Sequence, residues 1–596
     1  MAEPTFISNE EPKDLEADAR DSIEATDTYE YNKDSSEDVE ETASAENHEF
    51  NRGDGLKADG DLAIEEYEAN QHKCFKVKAF FCIVGMIVGV VFCFYELGDD
   101  RKVNQTLAIA IWMATLWLTE AIPLVVTAFL PIVLFPLFGI VSSKAITAQY
   151  ANNTIFLFIS GFLMALTLQR WNLHRRFSLK LLTWCGVRPQ LLLLGIMGGT
   201  FFLSMFVSNT ATSLMMVPNA LSICRSVEES TPNHRGNQES RRFSTAIFLG
   251  IAYAANVGGM ASLLGTPPNL VFQKQLALIF PEAPEMTFAT WLGFGLPISL
   301  IMSFFIWAYL SVMYLRNLDM GSVDRDLFKN QYEALGPWTR EQVIVATLFT
   351  LEALLWVFRK DLEFENATIK GWSNLFPEPS AIADATVGMG IAILLFIWPG
   401  DGKNMAGDAP GYESEDVTPG DRTTLLDWKT ANTMPYDIVF LFGGGFALAK
   451  AFVESGLSAF LGEELKGFDS LSTPGLVFVV VFIIIWLTEL TSNTATSNIM
   501  IPIAASLAIA LETNPYTLMI PVTFACSCAF ALPIATPPNM VVFSTGRVPL
   551  REMNKGGLVL NMISSVVLLM GAFTFIPWVL KEDATSFPEW AKTTAL

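Results

Sequence analysis

The sequence SNTATSLMMVP, at residues 208–218, returns almost unchanged as SNTATSNIMIP at residues 492–502. Each copy lies inside one of the most apolar regions of the chain. Ser, Asn and Thr favour turns and helix N-caps because their side chains bond nearby backbone groups. We therefore expect each copy to interrupt a membrane helix, so that regions 191–224 and 474–511 each form a re-entrant helix–turn–helix hairpin.

The composition is that of a protein with many membrane-spanning helices. Of the 596 residues, 51% are hydrophobic and 17% are charged, and the mean hydropathy is +0.37. Apolar runs recur along most of the chain, and about 20 residues suffice for one crossing, so we predict an all-α polytopic membrane protein with about eleven transmembrane helices plus the two hairpins. A soluble fold is excluded, because too few polar residues remain to cover so much apolar surface.

Negative charge is concentrated at the N-terminus. Residues 1–70 contain 23 Asp and Glu against 5 Lys and Arg, in a chain whose net charge is −23. We interpret this segment as a disordered cytosolic tail, with a regulatory or trafficking role as the alternative. The other predicted units are a first half at 76–320, a second half at 340–582 and a short extracytosolic tail at 583–596.

Basic residues predict which loops face the cytosol. With the N-terminus in the cytosol, the Arg- and Lys-rich loops 170–190, 225–242 and 546–555 fall on the same side, as the positive-inside rule requires. Loop 359–379 then lies outside, and its sequon makes Asn366 a predicted glycosylation site. We predict an integral protein of the plasma membrane with a cytosolic N-terminus and an extracytosolic C-terminus, and an endomembrane location stays open.

The two Ser-Asn-Thr copies belong to a longer internal repeat. FLFISGF at 156–162 and FLFGGGF at 440–446 keep the same spacing along the chain as the two SNTATS copies. Further along, GTPPN at 265–269 corresponds to ATPPN at 535–539 with a slightly shorter spacing. The predicted sidedness opens the first hairpin to the cytosol and the second to the outside, so the halves are inverted repeats. Inverted repeats with interrupted helices mark the central site of a transporter.

The repeated motifs have the chemistry to bind an anion together with a hard cation. Each break exposes a helix N-terminus, whose unpaired N–H groups and partial positive charge suit an anion. Freed carbonyls and the Asn, Ser and Thr oxygens suit Na⁺, and the prolines of TPPN leave further carbonyls free. The four motifs contain no Arg, Lys or His, so Na⁺ would balance the anion. A polar helix-packing stripe is the alternative.

The remaining polar residues fit structural roles. Glu120 and Glu489 share a Leu-Thr-Glu context and are predicted to be hydrogen-bonded structural carboxylates, with a part in coupling as the alternative. Lys450 and Asp384 are predicted to be paired inside the protein. All four histidines lie in the tail or in loops, so a membrane-embedded enzyme would lack a base, and no catalytic residue is predicted. The seven cysteines lack metal-finger spacing, and no cofactor is expected.

Several of these stretches are similar to one known family. WLTEAIPL at 117–124, the two SNTATS copies, YAANVGGMASLLGTPPNLVF at 253–272 and FPEWA at 587–591 resemble the divalent anion:sodium symporter family. The resemblance runs from about residue 76 to 592. It is strongest to the animal-type sodium–dicarboxylate, –citrate and –sulfate cotransporters (solute carrier family 13). It implies a homodimer in which a transport domain moves against a scaffold domain like an elevator.

The resemblance also implies ligands in this chain. The first sodium site would use the side chains of Ser204 and Asn209 with backbone oxygens of Ser208 and Gly265. The second sodium site would use the side chains of Thr488 and Asn493 with backbone oxygens of Thr491 and Ala535. The substrate would lie between the hairpin tips and contact Asn209, Thr210, Thr266, Pro267, Ser492, Asn493, Thr494 and Pro537. Sodium would be the only metal bound.

The function expected from these features is sodium-coupled symport of small divalent anions. C4 dicarboxylates such as succinate, malate or fumarate are the expected substrates, with related di- and tricarboxylates. A sodium-coupled sulfate transporter or an anion exchanger of the same fold is the alternative. A membrane-embedded enzyme and a non-transporting receptor are hypotheses from other classes. The expected partners are the dianion, Na⁺, the lipid bilayer and a second copy of the chain, with no nucleic acid.

Overall fold

The protein is an α-helical bundle that contains two helical hairpins, as seen in a computed structural model. The structure describes residues 83, 87, 100–185, 188–230, 238–316, 318, 327–364, 367–406, 409–412, 422–465, 467 and 471–592. The acidic tail at 1–70, the apolar stretch at 79–97 apart from residues 83 and 87, and the sequon residue Asn366 lie outside the described residues.

The described part of the first half runs through eleven helices. Five lead up to the first hairpin: α1 (Arg101–Thr119), α2 (Leu124–Ala128), α3 (Leu130–Leu137), α4 (Ser143–Thr147) and α5 (Asn153–Arg170). After α6 (Leu173–Cys185), the hairpin legs are α7 (Pro189–Ser204) and α8 (Asn209–Ser230). The half ends with α9 (Gln238–Ala261), α10 (Pro267–Ile279) and α11 (Phe288–Tyr314). A 3₁₀ turn, Ala148–Tyr150, precedes α5.

The second half follows the same plan. It begins with α12 (Leu327–Ala334), α13 (Arg340–Val357), α14 (Asp384–Ile397), α15 (Trp428–Ala431), α16 (Tyr436–Glu454) and α17 (Leu457–Leu465). The second hairpin is formed by α18 (Thr473–Thr488) and α19 (Asn493–Ala510). The remaining helices are α20 (Pro515–Ala525), α21 (Pro537–Ser544), α22 (Leu550–Phe573), α23 (Phe575–Leu580) and α24 (Glu589–Lys592).

The strands are short and lie in the connections. β1 (Leu362–Phe364) pairs with β2 (Ala367–Ile369) in antiparallel register, and β3 (Pro399–Asp401) pairs with β4 (Arg422–Thr424) in the same way. Further 3₁₀ turns occur at Trp372–Leu375, Pro379–Ala381, Gly402–Asn404 and Pro533–Ala535. The architecture is therefore all-α, as the sequence predicts.

Local sequence explains where the helices begin and break. The Asn152 side chain accepts from the backbone N–H groups of Thr154 and Ile155 and starts α5, and the Thr287 hydroxyl starts α11 in the same manner. Proline stands at the first turn of both α10 and α21, where its missing N–H costs nothing. The prolines of the two TPPN motifs therefore restart a helix rather than bend one.

Five helical stretches of the described chain are long and apolar enough to cross a membrane: Ser143–Arg170, Gln238–Ala261, Phe288–Tyr314, Tyr436–Glu454 and Leu550–Leu580. Large apolar side chains are exposed along the outer faces, among them Phe304 and Val312 on α11 and Met570 on α22. Such faces suit lipid and not water. The protein is thus a polytopic helical membrane protein. Leu124–Leu137 and α14 are shorter than the roughly 20 residues of a full crossing, so the predicted number of crossings stays a prediction.

The two halves are interlocked through their hairpins. The second leg of the first hairpin, α8, packs against α21, the TPPN helix of the second half. Reciprocally, α19 packs against α10, the TPPN helix of the first half. This crossed packing brings the two SNTATS tips and the two TPPN motifs to one place.

Two intramembrane charges have partners, as predicted. Asp384, which is 3% exposed, accepts from Arg359 Nε at 2.5 Å and from the Phe288 backbone N–H at 2.9 Å. Lys450 Nζ lies 2.9 Å from Glu454 Oε1, one helical turn further along α16. Both groups are therefore accounted for away from the hairpin tips.

Candidate binding site between the hairpin tips

A cavity of about 970 Å³ lies where the hairpin tips and TPPN motifs meet. Its wall includes every residue predicted to contact substrate, namely Asn209, Thr210, Thr266, Pro267, Ser492, Asn493, Thr494 and Pro537. It also includes four predicted sodium-site residues: Ser208, Gly265, Thr491 and Ala535. Ser204 and Thr488, the remaining two, are fully buried one helical turn before the tips. Residues far apart in the sequence are thus brought together.

At the first tip, the Ser204 hydroxyl, the side-chain amide of Asn209 and the backbone carbonyls of Ala255 and Gly265 face one another. Ser204 Oγ donates to the Ala255 carbonyl at 2.7 Å and lies 2.7 Å from Asn209 Oδ1. The same Asn209 oxygen faces Ala255 O at 3.1 Å and Gly265 O at 3.3 Å. A cation bound among these atoms would hold the amide oxygen of Asn209 toward them. Without one, exchanging the positions of the amide oxygen and nitrogen of Asn209 would satisfy the same oxygens.

The second tip repeats this arrangement in the other half of the chain. Thr488 Oγ1 lies 2.8 Å from the Cys526 carbonyl oxygen and 3.0 Å from Asn493 Oδ1. A hydroxyl, a side-chain amide and a backbone carbonyl thus meet at the second tip as they do at the first. Unwound backbone and side-chain oxygens of this kind coordinate Na⁺ in membrane transporters. Both clusters therefore fit a hard cation.

Each TPPN asparagine holds open the break that precedes its helix. Asn269 Nδ2 donates to the carbonyls of Gly259 at 3.1 Å and Ser262 at 2.7 Å. Asn539 Nδ2 donates to the carbonyls of Ala529 at 3.1 Å and Leu532 at 3.0 Å. The two halves use corresponding residues for these bonds. The distance along the sequence between the two TPPN motifs also separates Asn269 from Asn539, Gly259 from Ala529 and Ser262 from Leu532. The internal repeat is therefore preserved in the hydrogen bonds as well as in the letters.

Three glycines frame the first cluster, and we call Gly258, Gly259 and Gly265 the glycine triad. A Cβ on Gly258 would lie 2.5 Å from Phe201 O, and one on Gly259 would lie 2.4 Å from Asn209 Oδ1. A Cβ on Gly265 would lie 2.6 Å from Ser204 O. Those distances are too short for any real side chain, so the first site depends on bare backbone at all three positions.

Glu489 holds the unwound backbone that follows α20, close to the second tip. The side chain is 3% exposed, and its Oε1 accepts from the backbone N–H groups of Phe530 and Ala531 at 2.8 Å. Oε1 also accepts from Asn561 Nδ2 at 2.8 Å, and Oε2 accepts from the Leu532 N–H at 3.0 Å. Four donors therefore hold one carboxylate, which replaces the hydrogen bonds that the unwound stretch after α20 lacks. The prediction of a structural carboxylate is confirmed here.

Glu120 behaves differently, and the prediction of a hydrogen-bonded structural carboxylate is wrong for it. It ends α1 in a left-handed conformation with φ of 48°, is exposed and lines the cavity. No described residue forms a hydrogen bond or ion pair with it. Asp437, at the start of α16, is also exposed and lies on the same wall. The shared Leu-Thr-Glu sequence does not predict the role of the carboxylate, because that role depends on burial and the sequence does not determine burial.

Sequence reasoning missed further residues of the cavity wall. Thr536 and Asn256 lie on it, together with the aromatic rings of Phe158, Phe162 and Phe206. The repeat could have revealed Thr536, since it corresponds to Thr266 in the first TPPN motif. Asn256 has no counterpart of its own kind, so no repeat signal pointed to it. The rings come from helices that only the fold brings here.

The electrostatics of the cavity are unusual for an anion site. No Arg, Lys or His is found among the described residues that line it. An anion would instead be favoured by helix N-termini, whereas Glu120 and Asp437 add negative charge to the wall. Ser492 caps α19 without a side-chain hydrogen bond, which leaves N–H groups of the first turn for a ligand. Nor do the described residues contain a group of three or more His, Cys, Asp or Glu placed to hold a metal ion.

Comparisons with known proteins return membrane transporters. The family model described as "Sodium:sulfate symporter transmembrane region" matches residues 75–581. The chain is 36% identical over 511 residues to the sodium-dependent dicarboxylate transporter SdcS of Staphylococcus saprophyticus, which covers 84% of this chain and 93% of that protein. SdcS of Staphylococcus aureus is 36% identical over 508 residues, with 84% and 92% covered. The crystal structure of the Alcanivorax borkumensis YdaH transporter aligns with 85% of this chain and 98% of its own, at a TM-score of 0.46 and 12% identity.

Proposed function

Because the chain belongs to the sodium:sulfate symporter family, we propose that it is a sodium-coupled symporter of small divalent anions. The observation that carries the proposal is the meeting of both Ser-Asn-Thr tips and both TPPN breaks at one cavity whose described lining contains no Arg, Lys or His. The family membership also agrees with the resemblance to divalent anion:sodium symporters found in the sequence.

The proposed coupling follows from charge balance. A dianion in this cavity would meet helix N-termini, hydroxyls and amides but no Arg, Lys or His, and the same wall carries the carboxylates of Glu120 and Asp437. Sodium ions in the two clusters would supply positive charge within a few ångströms of the substrate. At such distances in a medium of low dielectric constant, opposite charges attract by several kcal/mol. Cation and anion would therefore bind well only together, which is the requirement for symport.

The residues proposed for each role are those that the sequence indicates. Ser204, Ser208, Asn209 and Gly265 would hold the first sodium ion. Thr488, Thr491, Asn493 and Ala535 would hold the second. The dianion would contact Asn209, Thr210, Thr266, Pro267, Ser492, Asn493, Thr494 and Pro537. Sodium acts as the coupling ion, and the proposal includes no cofactor.

C4 dicarboxylates are the proposed substrates. Two relatives that are each 36% identical are named sodium-dependent dicarboxylate transporters, which supports succinate, malate or fumarate over other dianions. Sulfate is the second candidate, because the matching family model carries that name. The relatives are transporters, which favours transport over enzyme chemistry. We further propose a plasma-membrane homodimer in which the hairpin-bearing part moves as an elevator, with the tail at 583–596 outside the cell.

Uptake by the purified protein tests the proposal. We expect radiolabelled succinate to enter proteoliposomes under an inward Na⁺ gradient and not under an equal K⁺ gradient. Unlabelled malate and fumarate should compete, and sulfate should compete only at higher concentration. Uptake that is independent of Na⁺ would contradict the coupling, and stronger competition by sulfate would transfer the proposal to the second substrate. Uptake that requires loaded anion inside the vesicles would indicate exchange.

A further inference from the structure

We propose that Asn256 is a positioning residue that makes the hydroxyl of Thr536 a dedicated hydrogen-bond donor to the transported anion. The inference rests on the proposed function, because it takes the cavity between the hairpin tips as the place where the dianion binds. Asn256 itself acts through Thr536 and is not proposed as a substrate ligand.

Asn256 lies on α9 of the first half, but its amide serves the second half. The side chain is 0% exposed and forms part of the cavity wall. Its Nδ2 donates to Ala529 O at 3.2 Å and to Thr536 Oγ1 at 3.2 Å, and it lies 3.5 Å from Asn539 Oδ1. One side chain thus contacts three groups around the break between α20 and α21.

The contact with Ala529 fixes the direction of the hydrogen bonds. A backbone carbonyl can only accept, so the atom of Asn256 that faces it must be the nitrogen. The same nitrogen meets Thr536 Oγ1, which must therefore act as the acceptor in that contact. A hydroxyl that accepts from one neighbour keeps its own hydrogen available for another.

The hydroxyl hydrogen of Thr536 is available to donate to a ligand in the cavity. No acceptor for it exists among the residues that the structure describes, and its side chain does not cap α21. Thr536 lines the cavity. An anion in the cavity would supply the missing acceptor, and hydrogen bonds to charged groups are stronger than those between neutral groups. The amide of Asn256 thereby sets the donor direction before substrate arrives.

The first half offers a built-in comparison. Thr266 corresponds to Thr536, lines the same cavity and has nearly the same backbone, with φ and ψ of −143° and 142° against −143° and 147°. No amide from the other half donates to it in the described structure, because the position corresponding to Asn256 is Cys526. No hydrogen bond among the described residues sets the direction of the Thr266 hydroxyl. The two threonines should therefore contribute unequally to substrate binding.

A double-mutant cycle tests the coupling, with initial rates of Na⁺-driven succinate uptake in proteoliposomes as the readout. We expect Asn256→Ala and Thr536→Val each to raise the substrate KM by about tenfold, the scale of one hydrogen bond to a charged group. The half-saturating Na⁺ concentration should stay within about twofold. The double variant should be no worse than Thr536→Val alone, since the two residues act as one unit.

The matched controls use the other threonine. Thr266→Val should raise KM less than Thr536→Val, and Asn256→Ala combined with Thr266→Val should show multiplied effects. Thr536→Ser keeps the hydroxyl and should retain a KM within about twofold of the wild type, because the hydrogen bond is preserved. If Asn256→Ala cannot be recovered from the membrane, Thr536→Val still tests the inference, because an unchanged KM in that variant would overturn it.

Two results would overturn the inference alone. One is a double variant of Asn256 and Thr536 whose defects multiply, which would make Asn256 a structural tie between the halves. The other is an unchanged KM in Thr536→Val. If the wild-type protein transports no dianion in the same assay, the proposed function fails and the inference fails with it. The wild-type trace therefore separates the two failures.

Discussion

The two breaks in the membrane helices carry the same motif, but different interactions stabilise the backbone around them. Around the first tip, the glycine triad brings bare backbone against Ser204 and Asn209, so the site is defined by close packing. At the second tip the triad positions are Cys528, Ala529 and Ala535, and Glu489 anchors the unwound backbone through four hydrogen bonds. The polar atoms at the two tips repeat, whereas the groups that support them do not.

The difference shows which part of the repeat is constrained. The position corresponding to Glu489 in the first half is Met205, whose carbonyl accepts from the Ser262 hydroxyl. There α9 continues to Ala261 and the break before TPPN is short, so few backbone groups need partners. In the second half α20 ends at Ala525, and the break continues until α21 begins at Pro537. A longer break needs a stronger anchor, and a buried carboxylate provides it.

The largest expected effect comes from removing an amide common to both tips. Asn209→Ala and Asn493→Ala each delete one oxygen from a cation cluster. Loss of a contact to a buried charge costs about 3 kcal/mol, so Na⁺-driven succinate uptake should fall by about 100-fold or more in each variant. Quantified protein in the vesicles is the control. Near-normal uptake in one variant would confine coupling to the other half.

The second largest effect is expected from neutralising Glu489, which anchors the unwound backbone of the second half. Glu489→Gln keeps the shape but replaces one acceptor oxygen with an NH₂ group that faces backbone donors. We expect about a 30-fold rise in the half-saturating Na⁺ concentration and a lower melting temperature, since unmet buried donors destabilise by about 1–3 kcal/mol each. Glu120→Gln, the same change at an exposed carboxylate of the cavity, should stay within about twofold by the same argument. Equal effects would remove Glu489 from its special role.

Exchanging Gly265 and Ala535, which occupy corresponding positions in the two halves, tests whether only the first tip depends on close packing. In Gly265→Ala the new Cβ would lie 2.5 Å from Gly259 O, so the first cluster must open. Overpacking of this kind costs about 1–3 kcal/mol, and we expect about a tenfold loss of sodium affinity. The reverse change in the other half, Ala535→Gly, should cost less than about threefold, because it adds flexibility without a clash. Sodium titrations of uptake compare the two directly.

The smallest effects should fall on substrate alone. Thr210→Val and Thr494→Val keep the volume at each tip but remove a hydroxyl from the cavity wall. We expect each to raise the succinate KM by about three- to tenfold, the scale of one hydrogen bond, while the half-saturating Na⁺ concentration is unchanged. A parallel shift in the sodium titration would show that the threonines belong to the cation clusters.

The sequence alone could locate the candidate site because its parts are short, polar and repeated at fixed offsets. The two SNTATS copies stand out against apolar surroundings, and residues such as Thr210 and Thr494 follow from the alignment. Every residue predicted to contact the substrate lines one cavity in the structure. The all-α membrane fold followed from composition and apolar runs, which need no tertiary information.

The interactions that support the site could not be predicted from the repeated motifs. The hydrogen bonds to Glu489 can be identified only when the backbone at 530–532 is known to be unwound. The sequence there gives no sign of this, because residues 530–532 lie within one apolar stretch, 516–545. Asn256 acts on the opposite half, so no local pattern reports its contacts. Glu120 was misjudged for the same reason, since whether a carboxylate is buried depends on helices that are distant in the sequence.

The crossed packing of α8 on α21 and α10 on α19 has a consequence for biosynthesis. After α8, which ends at Ser230, leaves the ribosome, the chain must be extended as far as Pro537 before α21 can begin to pack against it. Until then the first hairpin sits in the membrane with its polar tip unmatched, and unmatched polar groups in lipid cost several kcal/mol each. The first half thus cannot mature on its own. Chains truncated before α21 should be cleared by quality control, and separately expressed halves should survive only when inserted together.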